Sequence, residues 1–273
     1  MPKPSKNLKS VTLVIFDYSG TLSLGAVEFG KPGNLERHLE ESGLAGIGID
    51  TANRYWQKVV TPTWSSASTS NAGFRSAVAD CMRKMKIPSA TPRSIETAVA
   101  RFLDAYMRHS HIDKKWRPLL SDIQNRPNTL GLIATDHYAE ATDAILAHLA
   151  ALGIRAAPAT NEMRPAGETA FSVANSADIG CLKADRQFWA TLRKTCLPLP
   201  VKKLVLVDDF GLNEQDCSGY TENSRIENRI IATCQALGGV FGLNPQVIKF
   251  QAGRDINAAI VRTIRTVKES LQS

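Results

Sequence analysis

Two short apolar runs, each followed directly by aspartate, constrain the fold of this chain more than any other feature. Val11–Phe16 is apolar apart from one threonine, is rich in β-branched residues and leads into Asp17. Residues 201–207 end in Leu-Val-Leu-Val and lead into Asp208 and Asp209. Runs of this kind are typical of strands that are buried on both faces of a parallel sheet. The sequence therefore predicts a parallel α/β core with acidic residues at the ends of two strands.

Strand and helix patterns alternate through the second half of the chain. Further strands are predicted over residues 130–135, 171–174, 239–243 and 247–250. Helices are predicted over residues 138–152, 183–195, 221–237 and 256–271. A polar stretch with Pro158, Pro165 and Gly167 is interpreted as a loop or an insertion. Such alternation favours right-handed βαβ units and an open parallel sheet.

A long segment between the first two predicted strands, residues 35–123, contains no convincing strand. Its apolar residues recur at spacings of three and four, which is the period of amphipathic helices. Asp50 with Thr51, and Thr91 with Pro92, are typical of helix starts. We therefore expect a helical domain that is inserted into the core. The predicted domains are a core of residues 1–30 and 125–273 and an insert of residues 31–124.

Composition and charge argue against several classes of partner. The 273 residues are 43% hydrophobic and 22% charged, as in ordinary globular proteins. The formal net charge of +7 is spread along the chain, so nucleic-acid binding is not expected. No apolar run approaches the roughly 20 residues of a membrane-spanning helix, and no signal-peptide pattern is present, which favours a cytoplasmic protein. The five cysteines include no CxxC pair, so reduced thiols are expected.

Polar residues follow the predicted strands at the edge of the sheet where open α/β folds bind their ligands. Asp17 follows the first strand and Thr135 ends the second. Asp208 and Asp209 follow the third, and Lys183 stands before a helix between the second and third. We expect these acids, the hydroxyl and the ammonium group to meet at one edge of the sheet.

This combination of groups suits phosphoryl chemistry. A carboxylate can attack as a nucleophile and form a covalent intermediate. Crowded carboxylates repel one another unless a cation neutralises them, and Mg²⁺ often bridges carboxylates to a phosphate. Lys183 and the Thr135 hydroxyl can hold the oxygens of a transferring phosphoryl group. Gly20 would let the chain turn sharply after Asp17.

The ordered motifs resemble those of the haloacid dehalogenase-like (HAD) superfamily. The resemblance rests on FDYSGTL around Asp17, the strand that ends in Thr135, the isolated Lys183 and VLVDDFGLNE around Asp209. The first and fourth of these motifs are the specific ones. The long gap between Asp17 and Thr135 resembles family members that carry a helical cap there. The resemblance implies a Rossmann-like HAD core with an inserted α-helical cap, and hydrolysis of a small-molecule substrate.

The resemblance also implies a role for each motif residue. The implied catalytic residues are Asp17, which would be the nucleophile, Thr135 and Lys183. The implied ligands of Mg²⁺ are Asp17, the backbone carbonyl of Ser19, Asp208, Asp209 and Glu214. The implied substrate-binding residues are Ser19, Gly20, Thr135 and Lys183. Asn213 competes with Glu214 for the last place in the acidic set.

Ser19 departs from the pattern of the family's phosphatases. These usually have a second aspartate two residues after the nucleophile, which protonates the leaving group and later activates water. A serine hydroxyl is a poor acid near neutral pH. Members that cleave carbon–phosphorus or carbon–halogen bonds also lack that aspartate. The phosphonate-cleaving members form a Schiff base with a lysine of the cap, and Lys58, Lys84 and Lys86 lie in the predicted cap here.

Three functions stay open on the sequence alone. The leading hypothesis is Mg²⁺-dependent hydrolysis of a small phosphorylated or phosphonate substrate through an aspartyl intermediate. One rival is a metal-independent hydrolase of the dehalogenase type, which Asp209 and Glu214 disfavour. The other is a catalytically silent member that uses the same pocket for binding. The oligomeric state is also open.

Two further sets of residues admit both a structural and a functional interpretation. The first set is Tyr55, Trp56, Trp64 and Phe74. These aromatic residues are more typical of the core of the cap than of a substrate pocket. The second set is Asp136 and His137, which either face the site or cap a helix.

Overall fold

The computed structural model describes residues 10–88, 90–160, 171–197, 199–214 and 223–272. The strands are β1 (Val11–Phe16), β2 (Thr129–Thr135), β3 (Ala156–Pro158), β4 (Phe171–Asn175), β5 (Val201–Asp208) and β6 (Gln246–Lys249). The helices before β2 are α1 (Gly25–Gly30), α2 (Pro32–Ser42), α3 (Ala52–Tyr55), α4 (Thr61–Ala67), α5 (Gly73–Lys84), α6 (Pro92–His109) and α7 (Arg117–Asn125). The later helices are α8 (Ala141–Ala151), α9 (Ser176–Ile179), α10 (Arg186–Thr195), α11 (Asn223–Phe241) and α12 (Ile256–Ser270). A π-helical turn at Trp56–Val60 joins α3 to α4, and short 3-10 helices lie at Ala45–Ile47, Lys114–Trp116 and Leu212–Glu214.

The six strands form one parallel sheet in the order β3-β4-β2-β1-β5-β6. β1 lies inside it, with Phe16 opposite Ile133 of β2 and Val207 of β5. Every residue of β1 is buried, as its apolar run predicts. The predicted α/β class and the parallel core are confirmed. Because the strands are parallel, β1, β2 and β5 end at the same edge of the sheet.

Helices pack against both faces of the sheet. On one face lie α7, α8 and α12, with Leu120, Ile145 and Ile260 in the apolar cluster. On the other face lie α10 and α11, with Trp189 and Leu237 in the cluster. This arrangement explains why the strands at the centre carry apolar residues on both sides. Of the helices described, none combines the length and the apolar character needed to cross a membrane.

Helices α1 to α6 form a separate apolar cluster that extends from Phe29 to Leu103 and includes Tyr138 of the core. The predicted helix starts lie here: Thr51 caps α3 by accepting a hydrogen bond from the Arg54 N–H, and Thr91 forms a capping box at α6. Among the residues described between 35 and 123 there is no strand, as expected. We refer to this helical cluster as the cap.

The last part of the predicted insert packs with the core. Trp116, Leu120 and Ile123 belong to the apolar cluster on the sheet, and α7 packs against β2. The packing therefore places residues 112–124 with the sheet, although the sequence assigns them to the insert at 31–124. The apolar spacing of α7 is the same as that of the cap helices, so the pattern alone does not show which partner it covers.

Several predicted elements need correction. The strand predicted at residues 239–243 is wrong, because α11 continues to Phe241 and buries Leu237 and Val240 at helical spacing. Pro158 belongs to strand β3 at the edge of the sheet, where a proline is tolerated. The helices predicted from residues 138 and 183 begin at Ala141 and Arg186. Pro165 and Gly167 lie outside the described residues.

Candidate active site

The turn after β1 brings the backbone close to a second strand end. Asp17 donates its backbone N–H to the Val207 carbonyl at 2.9 Å, so its position is set by β5. Gly20 has a φ of +78°, and its N–H donates to the Ser23 carbonyl at 2.9 Å. A Cβ at this position would lie 2.5 Å from Asp209 Oδ2. Only glycine meets both requirements, since it tolerates positive φ and has no Cβ.

Three buried carboxylates meet at the edge of the sheet. Oxygen atoms of Asp17, Asp208 and Asp209 all lie within 4.8 Å of one another. The Lys183 Nζ atom bridges two of them, at 2.5 Å from Asp17 Oδ1 and 3.0 Å from Asp208 Oδ2. Thr135 is buried at the end of β2 and lines the same cavity. The structure thus brings together the strand-end residues and the lysine that the sequence singles out.

Lys183 is held by residues outside the four motifs. Its backbone N–H donates to Asp136 Oδ1 at 2.8 Å, and its carbonyl accepts a hydrogen bond from Trp189 Nε1 at 2.8 Å. Burial by itself would lower the pKa of Lys183, but the carboxylates of Asp17 and Asp208 outweigh it and raise the pKa above its usual range. The lysine is therefore charged. Asp136 faces the site, which the sequence leaves undecided.

The two acids after β5 are oriented by backbone and hydroxyl groups. Asp208 Oδ1 accepts a hydrogen bond from the Phe210 N–H at 2.7 Å, which leaves its other oxygen for Lys183. The Asp209 N–H donates to Thr21 Oγ1 at 3.0 Å. Thr21 belongs to the first motif, yet nothing in the sequence pattern assigns it this role. A hydroxyl contact across 188 positions of chain is visible only in the folded molecule.

Glu214, and not Asn213, faces the cavity. The Asn213 side chain forms hydrogen bonds with two loops instead. Its Nδ2 donates to the Gly20 carbonyl at 2.7 Å, and its Oδ1 accepts from the Ala252 N–H at 3.0 Å. Glu214 lines the cavity, and its Oε1 accepts a hydrogen bond from Ser19 Oγ at 3.1 Å. Of the two candidates that the sequence leaves open, the geometry therefore favours Glu214.

The site carries more acidic than basic groups among the described residues. The acids are Asp17, Asp136, Asp208, Asp209 and Glu214, and the bases are Lys183 and Arg229. Burial raises the pKa of Asp17 well above its usual range despite the nearby lysine. Burial together with Glu214 and Asp208 raises the pKa of Asp209 to about 8. Burial and crowding of the carboxylates favour a further cation beside Lys183, and an all-oxygen donor set fits Mg²⁺.

A cavity of about 310 Å³ lies between this edge of the sheet and the cap. The four aromatic residues of the predicted cap all line it: Tyr55, Trp56, Trp64 and Phe74. Tyr55 and Phe74 are also buried in the apolar cluster of the cap. These two residues therefore pack the core of the cap, as the sequence favours, and also line the cavity. The side chains of Lys58, Lys84 and Lys86 are exposed and do not line the cavity.

His137 lies at the boundary between core and cap. It is 5% exposed, and its Nε2 shares a hydrogen bond of 3.0 Å with the Tyr106 hydroxyl of α6. Its Nδ1 accepts from the Tyr138 N–H at 2.9 Å, so the ring is neutral with its proton on Nε2. Burial lowers the pKa of His137 to about 4. Tyr106 was not singled out by the sequence, because its helical spacing marks it only as a packing residue.

Comparison with known proteins gives structural similarity at low sequence identity. No protein-family model and no curated protein sequence matches the chain. A 2-haloacid dehalogenase from Pseudomonas syringae pv. tomato shares 15% identity and a TM-score of 0.47, over 76% of this chain and 84% of that chain. A predicted HAD-like family hydrolase from Porphyromonas gingivalis shares 16% identity and a TM-score of 0.47, over 94% and 99%. An L-2-haloacid dehalogenase from Xanthobacter autotrophicus shares 12% identity and a TM-score of 0.45, over 94% and 98%.

These solved structures come from the superfamily that the motifs resemble. Their identities and TM-scores are too low to carry a substrate or a metal requirement over to this chain.

Proposed function

We propose that this chain is a Mg²⁺-dependent HAD-like hydrolase of a small phosphate monoester. One observation carries the proposal: three buried carboxylates lie within 4.8 Å of one another, with one lysine between two of them. Crowding acids in this way is unfavourable unless a divalent cation joins them. The ligands would be Asp17, Asp209 and the backbone carbonyl of Ser19, with Asp208 and Glu214 completing the acidic set. When bound, Mg²⁺ would neutralise the acids and draw charge from the phosphoryl oxygens.

The residues of the chain then have distinct tasks. An Asp17 carboxylate oxygen attacks phosphorus, and the bond from phosphorus to the ester oxygen breaks with its electron pair going to that oxygen. Lys183 and the Thr135 hydroxyl orient the phosphoryl oxygens and stabilise their charge. Water then attacks phosphorus of the aspartyl phosphate, which releases inorganic phosphate and restores Asp17. The cap excludes bulk water during these steps.

Cleavage of a carbon–phosphorus bond through a Schiff base has less support. That route needs a lysine of the cap in the cavity. Among the described residues that line the cavity, Lys183 is the sole lysine, and it lies at the edge of the sheet in contact with Asp17 and Asp208. We therefore favour a phosphate ester over a phosphonate.

The test is hydrolysis of 4-nitrophenyl phosphate with Mg²⁺ and with excess chelator. We expect turnover only with Mg²⁺, and a loss of about 10³-fold or more in Asp17→Asn, because the amide cannot act as the nucleophile. The matched control is Asp185→Asn, since Asp185 is exposed and makes no side-chain hydrogen bond at the start of α10. Turnover that the chelator leaves unchanged would favour the metal-independent rival. No turnover of any phosphate ester by the wild type would favour a binding protein.

A further inference from the structure

The described residues of the cap contribute no charge to the cavity. Among these residues the lining side chains are uncharged, and they include Tyr55, Trp56, Val60, Trp64, Phe74 and Tyr106. In the part of the lining that the structure describes, the charged residues come from the core side, where the proposed phosphoryl site lies. A second charge on the substrate would lose its hydration at the cap without gaining a partner. The cavity therefore suits a molecule with a charged end at the sheet and an uncharged end at the cap.

We refer to Trp56, Trp64 and Phe74 as the aromatic wall of the cavity. The two tryptophans lie on one irregular helical segment. Pro62 has no N–H to donate to the Lys58 carbonyl, and that carbonyl accepts instead from Cys81 Sγ at 3.2 Å. The Thr61 N–H reaches back five residues to the Trp56 carbonyl, which is the π-helical pattern. Such turns are frequent at functional sites. Trp56, Val60 and Trp64 follow at spacings of four, and all three line the cavity.

Two of these aromatic side chains keep accessible surface beside the cavity. Trp56 and Trp64 are only partly buried, so part of each side chain stays accessible. Trp64 packs edge-on against Tyr138, with ring centroids 5.2 Å apart and an interplanar angle of 89°. Phe74 meets the same tyrosine at 85°, so the wall is braced from two sides. A volume of about 310 Å³ is at the lower end of small-molecule sites, which leaves room for one or two rings.

The chemistry of Ser19 favours the same kind of substrate. It stands two residues after the nucleophile, and its hydroxyl donates to Glu214 at 3.1 Å. A serine hydroxyl is a poor proton donor to a leaving oxygen near neutral pH. A phenolate can depart without help, since a phenol has a pKa of about 10. An alkoxide is far more basic, nearer to hydroxide, whose parent water has a pKa of about 15.7.

We propose that the substrate is an aryl phosphate whose leaving group is an uncharged phenol of one or two rings, seated against Trp56 and Trp64. The inference rests on the proposed function for the phosphoryl end of the molecule. When Asp17 attacks phosphorus, the bond to the phenolic oxygen breaks, and the phenolate takes its proton from water. The uncharged aromatic lining of the cap carries the inference, and the poor acidity of the Ser19 hydroxyl agrees with it.

The first experiment measures binding apart from turnover. Isothermal titration in Mg²⁺ compares 2-naphthylmethylphosphonate with methylphosphonate, which share the charged end and differ in the ring. We expect the naphthyl compound to bind about 30-fold tighter or more, because aromatic contacts of this kind add to the burial of apolar area. Trp56→Ala and Trp64→Ala should each lower its affinity about 10-fold and leave methylphosphonate unchanged.

The controls for this experiment lie beside the two tryptophans. Gln57→Ala and Ser65→Ala change exposed residues of the same helical segment that do not line the cavity. Both should bind the naphthyl compound like the wild type. Trp64→Phe keeps a ring at the wall, and it should recover most of the affinity even if Trp64→Ala folds poorly. Equal affinity for the two phosphonates, or no effect of either tryptophan, would overturn the inference.

The second experiment measures hydrolysis of three esters with the wild type and Mg²⁺. We expect kcat/KM for phenyl phosphate to exceed that for benzyl phosphate about 100-fold or more, because only the first releases a phenol. Glucose 6-phosphate should be poorer still. Comparable turnover of all three esters would overturn the inference and leave the proposed function intact. Tight naphthyl binding without turnover of any ester would instead overturn the proposed function and the leaving-group step, and keep the aromatic preference of the cavity.

Discussion

At the scale of single residues, one glycine determines whether the first and the fourth motif can lie against each other. Gly20 combines a φ of +78° with a hydrogen atom where a Cβ would lie 2.5 Å from an oxygen of Asp209. Its carbonyl also accepts a hydrogen bond from Asn213 Nδ2 at 2.7 Å. The spacing between Asp17 and Asp209 therefore depends on the absence of a side chain at residue 20.

A comparison of Gly20→Ala with Gly153→Ala separates the cost of positive φ from the effect on the site. The positive φ alone should destabilise the protein by about 1–3 kcal/mol, and the new Cβ should also displace Asp209. We expect 4-nitrophenyl phosphate hydrolysis to fall about 100-fold or more, because a small displacement of Asp209, a proposed ligand of Mg²⁺, would misplace the reacting groups. Gly153→Ala is the control, with a φ of +74° and no atom within 4 Å of its Cβ. It should lose similar stability in urea unfolding and keep its activity, and equal activities in the two variants would contradict the prediction.

At the scale of secondary-structure elements, the core caps a helix of the insert. Glu140, in the loop between β2 and α8, accepts hydrogen bonds from the N–H groups of Phe74 at 2.7 Å and Arg75 at 3.0 Å at the start of α5. The Ser176 hydroxyl donates to the Ser68 carbonyl at 2.6 Å in the same region. A carboxylate satisfies N–H groups that a helix cannot satisfy itself and interacts favourably with its N-terminus. These contacts hold the aromatic wall of the cavity against the sheet.

Glu140→Ala should loosen this junction. We expect a loss of about 1–2 kcal/mol in the free energy of unfolding, as for other N-terminal caps, and a rise of several-fold in KM for 4-nitrophenyl phosphate. Asp255→Ala is the control, because Asp255 accepts from the Ala258 N–H at 2.9 Å and caps α12 away from the cavity. It should lose similar stability without a change in KM. A KM that changes equally in both variants would show that general destabilisation is the cause.

At the scale of the whole molecule, the junction between core and cap contains a titratable group that favours one protonation state. His137 is buried, bonds to Tyr106 of the cap and accepts from the Tyr138 N–H. Burial lowers its pKa to about 4. The folded protein thus excludes a proton that the unfolded chain takes up near its usual pKa of about 6.5.

This difference predicts a loss of stability in acid. The contribution of His137 is fully present above about pH 6.5 and is lost progressively as the pH falls to about 4, by about 1.4 kcal/mol per pH unit. Between pH 7.5 and 5, urea unfolding should show a decrease about 2 kcal/mol larger in the wild type than in His137→Gln. The exposed residue His111 supplies the control, and His111→Gln should behave like the wild type. An unchanged pH dependence in His137→Gln would contradict the assignment.

The local pattern of the chain predicts much of the core. β1, β2 and β5 were predicted to within a residue at each end, because a strand buried on both faces must be an unbroken apolar run. The parallel arrangement then brings the ends of these strands to one edge, so Asp17, Thr135 and Asp208 could be expected together. The helix start at Thr91 is likewise local, since the partners of its cap lie within three residues.

Contacts between distant parts of the chain decided the rest. Only the folded molecule shows that Glu214 faces the cavity while Asn213 bonds to loops, because adjacent side chains take opposite directions according to their neighbours. The same holds for α7, whose apolar face covers the sheet and not the cap, and for α11, which extends through residues predicted as a strand. The sequence by itself determined which chemical groups stand at the strand ends, because each unbroken apolar run predicts a buried strand and the residue that follows it. Tertiary structure decided their partners and the aromatic wall opposite them, since those contacts join residues far apart in the chain.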